Sequence, residues 1–156
     1  MKIKLFITAV SSFLILYSSL SAGQILVSDA YALSSGPLAK AGAAYMKIMN
    51  HSAGSDRLIG VQSDIAKKTE LHTHLKDDNG VMRMVHIDEG IKIGPMKEHS
   101  LVRGGQHIMF MGLKEAFETG KIISVILLFE KAGEIAIEIV VDQDRRDNKK
   151  SHSHTH

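Results

Sequence analysis

The 156-residue sequence contains no cysteine and no tryptophan, and only two prolines. Without cysteine the chain forms no disulfide, so a domain of this size must be held together by a packed core. The same absence excludes metal sites that need a thiolate, including blue copper centres and the usual structural zinc sites. It also excludes thiol–disulfide chemistry by the chain itself, and it leaves no cysteine among these residues to carry a lipid.

An excess of charge of one sign is also missing once the N-terminus is set aside. Residues 1–23 have the order of a secretory signal peptide: Lys2 and Lys4, an apolar stretch broken by serines, then small residues around Ala22 and Gly23. A membrane span needs about 20 predominantly apolar residues, and the serines interrupt this stretch before the sequence turns polar. We therefore expect the leader to be cleaved, leaving a periplasmic protein with no stable membrane insertion. Without the two leader lysines, basic and acidic residues are equal in number, and aromatics are few, which makes nucleic acid a poor partner.

Long helical patterns are absent as well, and the chain between residues 24 and 142 consists of short β-type runs separated by turn residues. A loop-rich connection over 88–105 and a single helical turn at 114–120 interrupt these runs. We predict strands at 24–33, 43–51, 57–63, 68–75, 81–87, 106–113, 121–130 and 134–141. Strands at this spacing indicate an all-β sandwich or barrel, and no linker divides it, so we predict a single domain.

The last residues, 143–156, are charged and lack large apolar side chains, so this tail is predicted to be disordered. It ends in His152, His154 and His156, which alternate with serine and threonine. An affinity tag is normally an unbroken histidine run, so the alternation favours a native metal-capturing segment over an engineered or merely solvated tail.

Histidine and methionine are concentrated in one part of the chain. Five of the eight methionines and five of the nine histidines fall between residues 72 and 111. Side chains alternate along a strand, so three strands each present such residues on one face. These sets are His72 and His74; Met82, Met84 and His86; and His107, Met109 and Met111.

A cluster of thioethers and imidazoles has a specific chemical meaning. Thioether sulfur is soft and uncharged and binds Cu(I) far better than Mg²⁺ or Ca²⁺, while neutral imidazole accepts either copper oxidation state. Two His and two Met without a thiolate should hold Cu(I) in a four-coordinate site that binds the ion and hands it over. Taken singly, each methionine is more often a core residue than a ligand, and a lone histidine on a strand is more often a surface residue; only their clustering shifts this balance. Spacing alone leaves both interpretations open.

The same residues resemble a known family. The segments ELHTH, GVMRM and GGQHIMFMGL, followed by LLFEKAGEIAIEIVV, are similar to periplasmic copper chaperones of the PCu(A)C type, and VSDAYAL and AGAAYMKIMNHSAGSDRLIGVQS are similar to that family's opening strands. The likeness runs from about residue 25 to 141. It implies a cupredoxin-like β-sandwich that binds one Cu(I) through His72, Met84, His107 and Met109. It also implies delivery of copper to the CuA centre of cytochrome c oxidase, often alongside a Sco-type protein.

The spacing departs from the family pattern by one residue in each gap. Eleven residues separate His72 from Met84 and twenty-two separate Met84 from His107, where the family has ten and twenty-one. Met82 therefore competes with Met84 as the ligand, and His74 and Met111 are further alternatives. Some members of the family carry His- or Met-rich C-terminal extensions, so the tail histidines here would capture Cu(II) before reduction and transfer.

Three other functions stay open. A copper-dependent redox protein or enzyme would need an open coordination position or an added acid, base or nucleophile. Asp77 and Asp78, the acidic residues between His74 and Met82, are typical turn residues, which favours a role without catalysis. A copper storage or tolerance protein would keep the ion rather than deliver it. A structural or adhesive domain would use the Met-rich face to dock a partner.

Overall fold

The computed structural model describes residues 24–146, which form β-strands joined by turns and end in one turn of 3-10 helix at Asp144–Arg146. The ten strands are β1 (Ile25–Ser34), β2 (Ala41–Asn50), β3 (Asp56–Gln62), β4 (Ala66–Lys76), β5 (Met82–His86), β6 (Ile91–Ile93), β7 (Lys97–Leu101), β8 (His107–Leu113), β9 (Ile122–Phe129) and β10 (Gly133–Val141). The predicted all-β single domain is confirmed.

One continuous sheet contains all of these strands. Nine of them hydrogen-bond in the order β5-β4-β8-β2-β1-β10-β9-β3-β6, and β7 pairs with the part of β2 that β8 leaves uncovered. All neighbours are antiparallel except β1 and β10. The sheet curls around a common core, because Leu71 of β4, Phe110 of β8, Leu127 of β9 and Ile139 of β10 belong to one buried cluster.

Strand β10 shows why these residues form a sandwich. Glu134, Glu138 and Val140 point outward, while Ile139 and Val141 between and beyond them are fully buried in the core. A strand with this alternation can bury one face only. Burying a side chain such as Ile139 contributes about 1.5–3 kcal/mol relative to leaving it in water.

Two predictions about local structure are wrong. The connection over 88–105, predicted to be loop-rich, contains the two short strands β6 and β7. Gly90 precedes β6, and Gly94 and Pro95 lie between β6 and β7. Residues 114–120 form bends and turns rather than a helical turn. Phe117 in this segment enters the core against Phe110, with ring centroids 5.6 Å apart, and its carbonyl accepts a hydrogen bond from Gln143 rather than from a helical neighbour.

The folded domain continues past residue 142. Gln143 exchanges hydrogen bonds with Ser34, and the Arg145 guanidinium lies 4.4 Å above the ring of Tyr31 and 2.7 Å from an oxygen of Asp29. Residues 143–146 of the predicted tail are therefore part of the domain. The predicted signal peptide (1–23) and the tail histidines His152, His154 and His156 lie outside the described residues. Within residues 24–146 no helix is long and apolar enough to cross a bilayer.

Candidate metal centre

Strand β4 carries the centre of the candidate site, because it pairs with β5 on one edge and β8 on the other. His72 of β4 lies directly opposite His86 of β5 and His107 of β8. Directly opposed residues of antiparallel strands point to the same face of the sheet. The three imidazoles therefore form a row across three neighbouring strands.

The methionines join this row diagonally. Met84 lies opposite His74, two residues from the β5 partner of His72, and Met109 lies opposite Glu70, two residues from its β8 partner. Diagonal neighbours in a sheet have Cα atoms about 7–8 Å apart, within reach of a long side chain. The four ligands that the resemblance implies thus share one face and centre on His72.

The opposite face of β4 and β8 packs against the core and anchors both strands. Leu71 of β4 and Ile108 and Phe110 of β8, which alternate with the site residues, are fully buried in the core. A slip of one residue in either strand would exchange these faces and place polar imidazoles in the core. Core burial thereby fixes the register that brings the site together.

Three ring contacts link four imidazoles, which we call the histidine cluster (His72, His74, His86 and His107). The ring centroid of His72 lies 5.8 Å from that of His86 and 6.3 Å from that of His107. The ring of His74 stacks on His107 at 5.1 Å with 28° between the planes. His74, predicted as an alternative ligand, therefore contacts the same cluster, although on the side away from Met109.

His107 is the most deeply placed of the cluster, with 1% of its surface exposed. Its Nδ1–H donates to the carbonyl of Gly105 at 2.9 Å, because a carbonyl oxygen can only accept. This bond leaves the lone pair on Nε2. Burial lowers the pKa of His107 below its ordinary value, the Gly105 bond opposes this less strongly, and the nearby His74 and His72 add smaller lowering effects. The ring is therefore neutral near pH 7 and able to bind a metal.

His72 is held by a carboxylate. Its Nε2 lies 3.0 Å from Oε2 of Glu70, whose other oxygen forms an ion pair with Lys68 at 2.6 Å. The pKa of Glu70 is lowered first by the hydrogen bond from His72 and then by the one from Lys68, so the group is ionised at neutral pH. Glu70 is a site residue that the sequence analysis did not single out; its place two residues before His72 was the available signal.

Two imidazole nitrogens on this face are buried without a hydrogen-bond partner among residues 24–146: Nδ1 of His72 and Nδ1 of His74. An unsatisfied buried polar group costs about 1–3 kcal/mol, and such groups need an explanation. A bound metal ion would satisfy either nitrogen. Both atoms therefore fit the role of ligands, and they are the observation in this structure that favours a metal in the site.

The methionines differ in their accessibility. On the edge strand β5, Met84 is 45% exposed and Met82 is 55% exposed. Met82 lies opposite Lys76, two residues closer to the hairpin turn than Met84. On β8, Met109 and Met111 are both partly buried, and Met111 lies opposite Lys68, two residues further than Met109 from the imidazole row. The register thus favours Met84 and Met109 over Met82 and Met111.

An aromatic pair borders the site beyond β8. The ring of Tyr45 lies 6.1 Å from His107 and 5.2 Å from Tyr31. Burial raises the pKa of Tyr45 above its ordinary value of 10.0, so it stays protonated at neutral pH. Beside it a hollow of about 370 Å³, lined by Tyr45, Arg103 and Met109 among others, opens to solvent. Solvent therefore reaches the neighbourhood of the Met109 thioether.

The arrangement does not suit every metal. Within residues 24–146 no three histidine, aspartate or glutamate side chains are placed to hold an ion together. Thioether sulfurs beside neutral imidazoles are donors for a soft ion.

Residues 25–141 match the family model described as "Putative lipoprotein LpqE-like". The chain belongs to the LpqE-like family. A curated relative, "Putative lipoprotein Lxx21020" of Leifsonia xyli subsp. xyli (strain CTCB07), is 32% identical over 99 residues, or 64% of this chain. That match spans 59% of the relative's own length.

Several solved structures share the fold of this LpqE-like chain. The copper-bound PCuAC domain from PmoF2 has a TM-score of 0.63 at 23% identity, covering 78% of this chain and 94% of that one. The solution structure of apo-DR1885 from Deinococcus radiodurans has a TM-score of 0.60 at 21% identity, covering 92% and 96%. That of CuI-DR1885 has a TM-score of 0.57 at 24% identity, covering 81% and 86%. The predicted cupredoxin-like sandwich of the PCu(A)C type is thereby confirmed as the fold.

Proposed function

We propose that this LpqE-like protein is an exported copper metallochaperone that holds one Cu(I) through His72, Met84, His107 and Met109. The observation that carries the proposal is that these two histidines and two methionines share one face of three adjacent strands, with both methionines diagonal to His72. Solved structures with the same fold are described as copper-bound and as a Cu(I) form, which supports copper as the metal.

The donor set favours monovalent copper. Both histidines expected as ligands have a nitrogen available, Nε2 of His107 and Nδ1 of His72, and neutral thioethers stabilise Cu(I) over harder ions. The only carboxylate in direct contact with His72 in the described part of the chain is Glu70, which already accepts bonds from His72 and Lys68. Four neutral ligands thus leave the bound ion with its single positive charge.

Copper in this site has the features of cargo rather than of a resident catalytic ion. Met84 is nearly half exposed on an edge strand, so a recipient can approach one ligand while the buried His107 still holds the ion. Asp77 is the partly buried acidic residue of the adjoining turn. Its carboxylate accepts hydrogen bonds from the backbone N–H groups of Asn79 and Val81 and from Arg83, so it is engaged in the turn. These features support a binding and transfer protein that is not an enzyme.

The recipient and the location are proposals of the same kind. The resemblance to PCu(A)C chaperones favours the CuA centre of cytochrome c oxidase as recipient, with a Sco-type protein as a second partner. The family and its curated relative are both described as lipoproteins, a class of exported proteins, which supports the periplasm as the location. A storage or tolerance protein and a copper-dependent redox protein are the alternatives.

The test is an anaerobic Cu(I) titration followed by X-ray absorption of the loaded protein. We expect one ion per chain and a shell of mixed nitrogen and sulfur neighbours, with the sulfur signal reduced in Met109→Leu, a substitution that keeps side-chain volume. Coordination by nitrogen alone, or binding below one equivalent, would refute the site. Mixing the loaded protein with an apo CuA domain then separates delivery from storage, since a storage protein would retain the ion.

The tail histidines need a separate experiment. We propose that His152, His154 and His156 capture Cu(II), and a truncation should end after residue 146, because Gln143 and Arg145 make contacts of the folded domain. The truncated protein is expected to lose Cu(II) binding and keep the Cu(I) site. Full Cu(II) capacity in the truncated protein would contradict the role of the tail.

A further inference from the structure

The two nitrogens of His72 have opposite environments. Nε2 faces the carboxylate of Glu70 at 3.0 Å, whereas Nδ1 is buried and has no hydrogen-bond partner among residues 24–146. An ionised carboxylate can only accept, so the hydrogen of the neutral ring must be on Nε2. The lone pair is therefore on Nδ1, the atom that lacks a partner.

We propose that Glu70 is the positioning residue of the copper site, which fixes the ring of His72 so that it binds Cu(I) through Nδ1. This inference rests on the proposed function. A metal-binding histidine that donates its other N–H to a carboxylate has a fixed tautomer, a fixed ring orientation and a more basic ligating nitrogen. Glu70 supplies that carboxylate from two residues earlier on the same face of β4.

Glu70 is itself held in place. Lys68 forms an ion pair with its other oxygen at 2.6 Å, and the side chain of Glu70 is only 16% exposed. The carboxylate is therefore kept along the strand, on the side of His72 toward Met109, which lies opposite it on β8. Because both oxygens are engaged, Glu70 acts on the metal through His72 and not as a ligand.

His107 provides a contrast within the same site. Its Nδ1–H donates to the Gly105 carbonyl, so its lone pair is on Nε2. The structure thus assigns two different donor atoms to the two histidines: Nδ1 for His72 and Nε2 for His107. A main-chain carbonyl holds one ring, and an ionised side chain that a mutation can remove holds the other.

The test uses nuclear magnetic resonance on the full chain, because Cu(I) is diamagnetic. In the metal-free protein, His72 should show an Nε2–H protected from exchange. With Cu(I) bound, long-range ¹H–¹⁵N correlations should identify Nδ1 as its metal-bound nitrogen, with Nε2 bound in His107 as an internal control. In Glu70→Ala the protected Nε2–H of His72 should disappear while the His107 signals stay unchanged.

Affinity provides the second readout. Loss of such a carboxylate typically weakens metal binding by about 10–100-fold, so we expect that loss in Glu70→Ala. Glu70→Gln, whose amide oxygen still accepts from Nε2–H, should recover most of it. Lys68→Ala is the matched control: it removes the other partner of Glu70 and leaves the bond to His72, so affinity should change by less than about threefold, a small free energy.

The outcomes separate this inference from the proposed function. Cu(I) bound to Nε2 of His72, or a Glu70→Ala variant that retains both the protected Nε2–H and the affinity, would overturn the role of Glu70 while the chaperone function stands. A wild-type protein that binds no Cu(I) would overturn both. In that case the metal-free spectrum would still report whether the His72–Glu70 bond exists.

Discussion

Met84 and Met82 provide the sharpest test of the copper site, because they differ in position and little else. Both are on β5, both point to the face that carries the imidazoles, and they are 45% and 55% exposed. Met84 lies opposite His74 and Met82 opposite Lys76. Two residues along a strand correspond to about 6.8 Å. Met82 thus begins about 6.8 Å further than Met84 from the row of His72, His86 and His107.

This displacement sets the expected magnitudes. Removing a residue that only orients a metal ligand costs about 10–100-fold in affinity, so loss of a ligand itself should reach the upper end, about 100-fold or 2.8 kcal/mol. Met84→Leu should show this loss. Met82→Leu should change affinity by less than about threefold, because its side chain begins two residues further than Met84 from the imidazoles.

Competition with a Cu(I) chelator of known affinity, under anaerobic conditions, measures both variants. Methionine-to-leucine replacement conserves volume and both side chains are exposed, so the free energy of unfolding should stay within about 0.5 kcal/mol of wild type. An equal loss in the two variants would refute the register argument. A larger loss in Met82→Leu would assign Met82 as the ligand and require a different hairpin geometry.

Two further predictions concern groups that the fold buries. Burial lowers the pKa of His107 below 6.5, so the unfolded chain binds a proton at this residue more readily than the folded one, and the free energy of unfolding should fall as pH drops through 6.5 towards the lowered value. In metal-free His107→Gln, denaturation should show a weaker fall with pH. A fall as large as that of wild type would contradict this assignment. Asp56, only 5% exposed, accepts the N–H groups of Arg57, Lys131 and Ala132 at 2.7–3.0 Å. Asp56→Ala should therefore lower the free energy of unfolding in urea by roughly 3 kcal/mol, since each buried donor left without an acceptor costs about 1–3 kcal/mol. A decrease below about 1 kcal/mol would show that water replaces the carboxylate.

Much of the fold follows from period-two alternation. The long strands β4, β8, β9 and β10 alternate apolar and polar residues or carry apolar runs, and their existence and faces agree with prediction. Strands β6 and β7 were missed because they are short: Ile91 and Ile93 are buried by pairing with the distant β3, not by any local pattern. The segment around Phe117 was read as helical because its insertion into the core depends on tertiary packing.

The site shows the same division. Alternation places His72 and His74 together and Met84 with His86, so the sequence predicts which residues share a face. It does not predict which residues lie opposite one another, because strand register depends on turn geometry and on core packing. The sequence does not predict the role of Glu70 for a related reason. A glutamate two residues after a lysine on a strand is typical of an exposed ion pair, and only the position of the His72 ring shows that Glu70 contacts it.

If Met84 binds the ion, access to copper should depend on how firmly the β4–β5 hairpin is held, and Asp77 tests this. Pairing of β4 with β8 ends at His72, so the part of the hairpin that carries Met84 extends beyond that support. The carboxylate of Asp77 closes the hairpin: Oδ1 accepts the backbone N–H groups of Asn79 and Val81, and Oδ2 accepts Nε–H of Arg83. The pKa of Asp77 is lowered by the Val81 N–H and, less strongly, by Arg83, so these bonds persist at neutral pH.

Asp77→Ala should therefore loosen the hairpin without unfolding the domain, because β5 is exposed throughout and the core residue Leu71 lies in the part of β4 that pairs with β8. We expect Cu(I) to dissociate several-fold faster, measured by stopped-flow capture with an excess of chelator, while the midpoint of thermal unfolding stays close to that of wild type. Asp78→Ala, the exposed neighbour in the same turn, is the matched control and should leave the rate unchanged. If Asp77→Ala releases copper no faster than Asp78→Ala, movement of Met84 does not limit release. The ion would then leave from the side of Met109, where the solvent-open hollow beside Tyr45 gives a recipient its other approach.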